Sequence, residues 1–268
     1  MLNTVASILF VVYLGLTSVV FFVGALLVWA LTRPFDPRLR FLHLYSSFWA
    51  SVYLWTNPFW SVRVAGREHF DRVAPCVLVS NHQSALDVLV LFRLFRHFKW
   101  VSKIENFRVP LIGWNMYLNR YVWLERGNRE DARRALDDCR THLERGSSVL
   151  FFPEGTRSRT GEMRAFRPGA FVVAKDMRVP VVPVVVHGTR EALPKNSLTM
   201  SGRQRMVVEV LPPMDASEVA SLEVDELAAE ARRRIAARLE ELRTPAARGA
   251  PSPLRSSGAP RRSSRSRG

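Results

Sequence analysis

The sequence predicts an α/β protein: a mixed, mostly parallel sheet flanked by helices, with an N-terminal membrane-embedded helical segment. Residues 1–32 carry no Asp, Glu, Lys or Arg, which indicates the membrane segment. Short β-rich runs then alternate with stretches of helical periodicity, as in layered α/β domains. An apolar fraction of 47% is sufficient for one globular core and excludes a wholly disordered chain.

The N-terminal run predicts an uncleaved membrane helix. Residues 5–31 are uncharged, and as a helix they reach about 40 Å, against roughly 30 Å of bilayer hydrocarbon. A cleaved signal peptide is less consistent with a run of this length that no Lys or Arg precedes. Arg33, Arg38 and Arg40 follow the run, so the positive-inside rule predicts that the body faces the cytoplasm at the inner membrane. A helix that enters only one leaflet is the alternative.

Residues 41–62 are also uncharged, but they combine Trp and Tyr with His and several Ser residues. This composition is typical of the headgroup boundary and predicts an interfacial aromatic helix. A second spanning helix remains the alternative, and it would place the body on the other side. Residues 1–60 are therefore predicted to form the membrane region, and residues 61–243 the catalytic domain.

Seven runs in the body are predicted strands: 61–66, 76–80, 99–102, 121–125, 148–152, 179–186 and 205–211. Residues 128–146 predict a helix with Asn128 as N-cap and Gly146 just beyond its end. A further helix is predicted over residues 217–243, where one apolar stripe indicates packing on the body, with docking on anionic lipid as the alternative. The stripe consists of Leu227, Ala231, Ile235, Leu239 and Leu242.

The C-terminal residues 244–268 contain six Arg and no acid, and they are predicted to be a disordered basic tail. With a net charge of +15, the chain is suited to anionic membranes or substrates. No aromatic stacking pattern accompanies the tail, so no specific nucleic-acid binding is predicted. Cys76 and Cys139 lack metal-ligand spacing and are expected to be free thiols. No metal or cofactor is predicted.

The first chemical motif is Asn-His-Gln-Ser-Ala-Leu-Asp at residues 81–87, between a predicted strand and a helical run. On one continuous helix, His82 and Asp87 would lie about 140° apart. If His82 precedes the helix and Asp87 lies in its first turn, the carboxylate can reach the imidazole. The alternative is a capping box in which Ser84 and Asp87 have only a structural role.

The second motif is Phe-Pro-Glu-Gly-Thr-Arg-Ser at residues 152–158, directly after a predicted strand. Proline ends the strand, and Gly155 permits a tight turn. Glu154, Thr156 and Arg157 then place an acid, a hydroxyl and a guanidinium at one strand end. Strand ends in open α/β sheets are where ligands bind, and a guanidinium is suited to phosphate oxygens.

Together these motifs resemble the glycerolipid acyltransferases typified by 1-acyl-sn-glycerol-3-phosphate acyltransferase. Residues 81–87 are similar to that family's NHxSxxD block, and residues 152–158 to its FPEGTRS block. Val-Pro-Val-Val-Pro-Val at 179–184 resembles its later strand, and residues 102–114 resemble its segment with Lys, Glu, Pro and Gly-Trp. The resemblance covers about residues 62–212.

One block departs from the family pattern. Arg126 aligns with the motif arginine, but Arg120 stands where the family usually has glycine, and Glu125 stands where it has Asp. In the family this block helps to bind the acceptor's phosphate, so the departure concerns the acceptor more than the reaction. Arg167, in the Phe-Arg-Pro-Gly run at 166–169, replaces a frequent Lys and keeps its charge.

The resemblance implies direct acyl transfer from a thioester to a hydroxyl. His82 is then the general base, and Asp87 holds its tautomer and stabilises the imidazolium. Ser84 as a covalent nucleophile is the minor alternative, since the GxSxG elbow is absent.

Arginine and lysine near the motifs are expected to bind the acceptor phosphate, mainly through Arg126 and Arg157. Glu154 is expected to orient Arg157 or the acceptor glycerol, and the Gly155 N–H is a candidate oxyanion donor. The candidate substrate-binding residues are Lys103, Arg126, Glu154, Gly155, Thr156 and Arg157.

The predicted function is acylation of lysophosphatidate to phosphatidate in phospholipid synthesis. The expected partners are acyl-CoA or acyl carrier protein as donor, a lysophospholipid acceptor and the phospholipid membrane. Two alternatives stay open: acylation of another lysolipid such as lyso-ornithine lipid, and a non-catalytic protein that binds anionic lipid.

Overall fold

The computed structural model describes residues 2–125, 127–157, 162–194 and 202–244. The strands are β1 (Trp60–Ala65), β2 (Val77–Ser80), β3 (Phe98–Lys103), β4 (Val122–Leu124), β5 (Ser148–Phe151), β6 (Val181–His187) and β7 (Gln204–Val210). The helices are α1 (Leu2–Thr32), α2 (Arg40–Trp55), α3 (Arg67–Asp71), α4 (Leu86–Phe92), α5 (Ile104–Phe107), α6 (Ile112–Leu118), α7 (Arg129–Glu144), α8 (Gly169–Met177), α9 (Thr189–Ala192), α10 (Ala216–Ser221) and α11 (Val224–Arg243). All the predicted strands are present. The predicted tail, apart from Thr244, lies outside the described residues.

The strands form one sheet in the order β1-β7-β6-β2-β5-β3-β4. The five strands from β6 to β4 are mutually parallel. Strand β7 runs antiparallel to β6 and parallel to β1. The prediction of a mixed, mostly parallel sheet is therefore confirmed. The carboxyl ends of β2, β3, β5 and β6 meet at one edge of the sheet, which is where open α/β sheets bind ligands.

Helices cover both faces of the sheet. Strand β2 is buried on both sides, so its apolar residues do not alternate with polar ones. Leu78 packs in the core cluster that contains residues of α2 and α4. Val77 and Val79 pack in the opposite cluster with residues of α7, α8 and α11. The two cores fix β2, and with it the segment that follows its carboxyl end.

Helix α7 has the predicted ends. The Asn128 side chain accepts hydrogen bonds from the backbone N–H groups of Glu130 and Asp131, as an N-cap does. Gly146 has φ +77°, the left-handed conformation that ends a helix at least cost for glycine.

The single helix predicted over residues 217–243 is two helices, α10 and α11. The break falls at Glu223, whose backbone is extended and whose side chain forms a capping box with Glu226. A capping box starts a new helix because each side chain satisfies a backbone N–H of the other residue. The predicted apolar stripe is otherwise correct, since Leu227, Ala231, Ile235 and Leu239 are buried against the body.

Helix α1 is long, apolar and exposed along one side. Within the described residues, Ser7–Thr32 is the one segment with the length and composition to cross a bilayer. Val20 is 71% exposed. The other side packs on the body, with Phe21 stacked on Trp49 and Phe22 against Trp114. Helix α1 therefore presents an apolar surface outward along its length.

Helix α2 covers the segment predicted to be an interfacial aromatic helix, and several of its polar residues face inward. His43 and Ser47 are fully buried, and Ser47 donates to the His43 carbonyl four residues earlier. Such back-bonding satisfies a buried hydroxyl within its own helix. Ala50 and Leu54 pack in the core with β1, so that core extends across the predicted domain boundary at residue 60. The outward face of α2 is apolar instead, with Phe41, Leu44, Phe48 and Trp55 exposed.

Candidate active site

His82 lies in the short loop that joins β2 to α4. The neighbouring Asn81 anchors this loop to β6: its side chain donates to the Val186 carbonyl at 2.8 Å and accepts from the Val186 N–H at 2.9 Å. The Nδ1 atom of His82 lies 2.8 Å from Oδ2 of Asp87, which is in the first turn of α4. The chain therefore folds back between strand and helix and brings the two side chains together.

Asp87 has no exposed surface and accepts several hydrogen bonds. Its Oδ2 atom accepts from the backbone N–H of Gln83 at 2.5 Å and of Ser84 at 2.9 Å, besides His82. Its Oδ1 atom accepts from the hydroxyl of Thr189 at 2.5 Å. A carboxylate that accepts from so many donors has one position and one orientation.

The structure contains one of the two contacts of the capping box that was considered as the alternative. The Asp87 carboxylate binds the Ser84 N–H, as the box requires. The Ser84 hydroxyl, however, donates to the Leu193 carbonyl at 2.7 Å and accepts from the Leu86 N–H at 3.3 Å. Asp87 thus shapes the loop and holds the imidazole at the same time. Ser84 is fully buried and committed to these two contacts.

The geometry fixes the tautomer of His82. A carboxylate can only accept, so Nδ1 carries the proton and Nε2 is left as an acceptor. The ring of Phe152 stacks on the imidazole, with centroids 4.1 Å apart and planes 18° apart. The His82 side chain is 17% exposed. The imidazole is therefore held on two sides and remains accessible from the cavity described below.

Glu154 follows β5 and is 3% exposed. Its Oε1 atom accepts from the His82 backbone N–H at 2.8 Å, and Oε2 accepts from the Arg164 N–H at 3.0 Å. Burial raises the pKa of this carboxyl above its ordinary value. Glu154 therefore joins two loops and supports His82 from behind, a contact that the sequence did not predict.

Gly155 has φ +70°, and a Cβ there would come within 2.8 Å of the Arg167 guanidinium. The positive φ favours glycine at this turn, whereas the Arg167 side chain is flexible and could move away from a Cβ. The Gly155 N–H donates to the Phe152 carbonyl at 3.0 Å. This N–H is used inside the turn, so the expectation that it stabilises the oxyanion is not supported.

A cavity of about 690 Å³ opens beside His82, within the ordinary size range of ligand sites. Its apolar wall includes Val88, Leu89, Phe92, Trp100 and Met116. Its cationic and hydroxyl lining includes Lys103, Thr156, Arg157 and Arg167. One continuous space thus combines a long apolar wall, an imidazole and a cluster of cations.

The predicted site residues come together with two exceptions, Arg126 and Glu154. Glu154, predicted to contact Arg157 or the acceptor, is instead buried behind His82 and does not line the cavity. Lys103, Gly155, Thr156 and Arg157 line the cavity with His82. Arg126 lies outside the described residues. The segment before Arg126 is described, and its backbone conformation reflects the departure from the family pattern.

That departure is Arg120, which stands in the place where the resembling family has glycine. Its φ is +53°, a left-handed conformation that costs a residue with a Cβ about 1–2 kcal/mol. The backbone conformation is therefore the one that glycine favours, although the residue is arginine.

Sequence reasoning missed several supporting residues. Arg167 lines the cavity, but its only sequence signal was a conserved positive charge in its run. Asn81 belongs to the histidine motif, but nothing in the sequence indicates its contact with Val186 of β6. The position of Thr189 in α9 likewise carries no signal for its contact with Asp87.

The fold and the site together define an α/β protein with a histidine–aspartate pair beside an apolar cavity. The profile of the family described as Acyltransferase matches residues 61–187. Those residues, just under half of the chain, are therefore an acyltransferase-family domain.

Two curated relatives are similar over most of the chain. The 1-acyl-sn-glycerol-3-phosphate acyltransferase of Chlamydomonas reinhardtii is 39% identical over 218 residues, which are 80% of this chain and 65% of the relative. A chloroplastic 1-acyl-sn-glycerol-3-phosphate acyltransferase of Arabidopsis thaliana is 38% identical over 204 residues, which are 75% of this chain and 55% of the relative. The chain spans less than two thirds of the length of both.

The fold has a close counterpart among solved structures. The crystal structure of the 1-acyl-sn-glycerophosphate (LPA) acyltransferase from Thermotoga maritima aligns with a TM-score of 0.73. The alignment covers 90% of this chain and 97% of that one at 24% identity. At this identity the likeness concerns the fold.

Proposed function

We propose that the protein transfers an acyl group from a thioester to the free hydroxyl of lysophosphatidate and so forms phosphatidate. The observation that carries the proposal is the His82–Asp87 contact of 2.8 Å beside the apolar cavity. The names of the curated relatives support the same activity. Acyl-CoA and acyl carrier protein both remain possible donors, because each presents the same thioester to the site.

His82 performs the proton transfers in this proposal, and Asp87 supports it. The acceptor hydroxyl attacks the thioester carbonyl carbon while its proton passes to Nε2 of His82. The tetrahedral intermediate collapses as the C–S bond breaks, and the leaving thiolate takes the proton back from the imidazolium. Asp87 stabilises the imidazolium through Nδ1–H. General-base assistance of this kind contributes about 10²- to 10⁴-fold in rate.

The cations of the cavity bind the acceptor phosphate in this proposal. Arg157 and Arg167 supply planar guanidinium groups that can bind phosphate oxygens in pairs, and Lys103 adds a third charge. Arg126 joins them on the strength of its motif position. The apolar wall, including Leu89 and Trp100, accommodates an acyl chain.

The acceptor is tested by measuring thioester release over a panel of lysolipids. For wild type we expect the highest kcat/KM with lysophosphatidate. A preference for a phosphate-free acceptor such as lyso-ornithine lipid would support the second candidate acceptor. No release with any acceptor would support a non-catalytic anionic-lipid-binding protein, the remaining alternative.

The phosphate contact is tested by Arg157→Lys, which keeps the charge but loses the paired N–H geometry. We expect at least a tenfold lower kcat/KM for lysophosphatidate, because each such contact contributes about 1.5–3 kcal/mol. The matched control is Arg63→Lys, since Arg63 is exposed on β1. Equal losses on lysophosphatidate and on a phosphate-free lysolipid would indicate a structural role for Arg157.

We also propose that α1 anchors the protein in the membrane with the site on the cytoplasmic face. Arg33, Arg38 and Arg40 after α1 support this orientation. Protease treatment of sealed vesicles of known orientation tests it. If residues 82–157 were protected from protease added to the cytoplasmic side, the proposed orientation would be wrong.

A further inference from the structure

A second cationic cluster lies at the end of α4 remote from His82. Arg93 follows the last residue of α4, and Arg67 begins α3. The two are adjacent, because an Nη atom of Arg67 donates to the Arg93 carbonyl at 2.6 Å. Neither residue lines the catalytic cavity. We refer to these two residues as the Arg67–Arg93 cluster.

The Arg67–Arg93 cluster has more donors than the protein satisfies. The Nε atoms of both residues and Nη1 of Arg93 are enclosed and have no hydrogen-bond acceptor among the described residues. The nearby carboxylate of Asp71 forms a two-point ion pair with Arg96. Asp71 also acts electrostatically on Arg67, whereas Arg93 is influenced by the like charge of Arg67. Unsatisfied buried donors of this kind are uncommon in folded proteins.

Burial and like charge both act on the cluster. The pKa of Arg93 is lowered by burial and by the charge of Arg67. The pKa of Arg67 is lowered by burial and by Arg96, while Asp71 opposes the shift. An anion bound here would offset this repulsion.

The surroundings of the cluster are apolar and exposed. The Arg93 guanidinium lies over the ring of Trp55, 4.8 Å from its centroid, and Phe95 stacks on the same indole. Trp55 is 54% exposed and ends the outward apolar face of α2. Phe48 on that face contacts both Trp55 and Phe21 of α1. The cluster therefore borders the apolar surface that α1 and α2 present together.

We propose that the Arg67–Arg93 cluster binds the phosphate of an anionic phospholipid headgroup, separately from the substrate site. An apolar surface edged by Trp and by cations matches the boundary between acyl chains and headgroups. Arginine suits phosphate because its planar donors can pair with two oxygens. The occupant is a membrane lipid and not a free anion, because the cluster is continuous with the apolar faces of α1 and α2.

The test uses the full chain in neutral detergent micelles and isothermal titration calorimetry. The probes are dioctanoylphosphatidylglycerol, dioctanoylphosphatidylcholine and inorganic phosphate. We expect wild type to bind the phosphatidylglycerol at least tenfold more tightly than the phosphatidylcholine, and to bind inorganic phosphate more weakly than either lipid. Arg67→Gln with Arg93→Gln should remove most of the preference for the phosphatidylglycerol. Arg63→Gln with Arg72→Gln removes the same charge from exposed positions and should change the preference less than twofold.

Three results would overturn the proposal. Wild type could bind the two lipids with equal affinity, or it could bind inorganic phosphate as tightly as the phosphatidylglycerol. The third is an unchanged lipid preference in the Arg67→Gln, Arg93→Gln variant. Thermal melts establish that each variant is folded. If the double variant does not fold, Arg93→Gln alone is used, and it should lower the preference at least threefold. The wild-type comparison of the two lipids decides in either case.

Discussion

Asp87 performs two tasks that are usually separate in proteins. It caps the loop at Gln83 and Ser84, and it orients the imidazole of His82. Thr189 adds a third constraint on the same carboxylate. A substitution at Asp87 therefore changes both loop geometry and proton transfer, so the two effects must be measured by different readouts.

Glu154→Gln tests the support behind His82. Both carboxylate oxygens accept from backbone N–H groups. In the Gln variant the side-chain NH₂ group replaces one oxygen and is a donor, so one backbone N–H loses its acceptor. An unsatisfied buried donor costs about 1–3 kcal/mol. We expect a lower melting temperature and a lower kcat for acyl transfer, with a smaller change in KM. Wild-type kcat in a normally melting Glu154→Gln variant would contradict this role.

At the scale of elements, buried histidines lie between α2, β3 and the start of β5. His43 lies 2.8 Å from the Tyr121 hydroxyl, and His97 lies 3.0 Å from that of Ser147. Burial, together with the nearby Lys99 charge, lowers the pKa of His43 to about 3. Burial, with the charges of His43 and Lys99, lowers the pKa of His97 to about 2.

These shifts predict how stability depends on pH. Below about pH 6.5 these histidines bind protons in the unfolded chain but stay neutral in the native protein. The free energy of unfolding therefore falls as the pH falls. At pH 5 each such histidine costs about 1–2 kcal/mol. We expect the melting temperature to fall less in His97→Gln than in wild type when the pH is lowered from 7 to 5. His69→Gln on α3 is the control, and a slope as steep as wild type in His97→Gln would contradict the prediction.

The elements also mark where sequence reasoning succeeds and fails. Strands could be predicted because their β-rich runs are bounded by loops, and the β2–α4 loop because its motif is local. The break at Glu223 was missed because helical periodicity continues across it, while the capping box that causes it involves only Glu223 and Glu226. The inward serines of α2 were missed because composition does not show which face of a helix packs. The contact of Thr189 with Asp87 depends on the fold alone.

At the scale of the whole molecule, α1 and α2 carry the apolar surface and the sheet carries the site. Val20→Arg tests the surface, since Val20 is 71% exposed on α1. A charge at the centre of a membrane helix costs about 2.5–3.5 kcal/mol by insertion scales. We expect more protein to be released from membranes by carbonate. Ala220→Arg, at an exposed position of α10, should leave retention unchanged. Equal retention of both variants would argue against insertion of α1.

The central claim is that His82, held by Asp87, removes the proton from the acceptor hydroxyl. The most direct measurement is kcat for thioester release with lysophosphatidate in His82→Ala and Asp87→Asn, alongside thermal melts of both variants. We expect His82→Ala to lower kcat about 10²- to 10⁴-fold while the variant stays folded and membrane-bound. Asp87→Asn should also slow turnover, since a neutral amide cannot stabilise imidazolium. Full activity in Asp87→Asn, or a loss in His82→Ala that unfolding explains entirely, would contradict it.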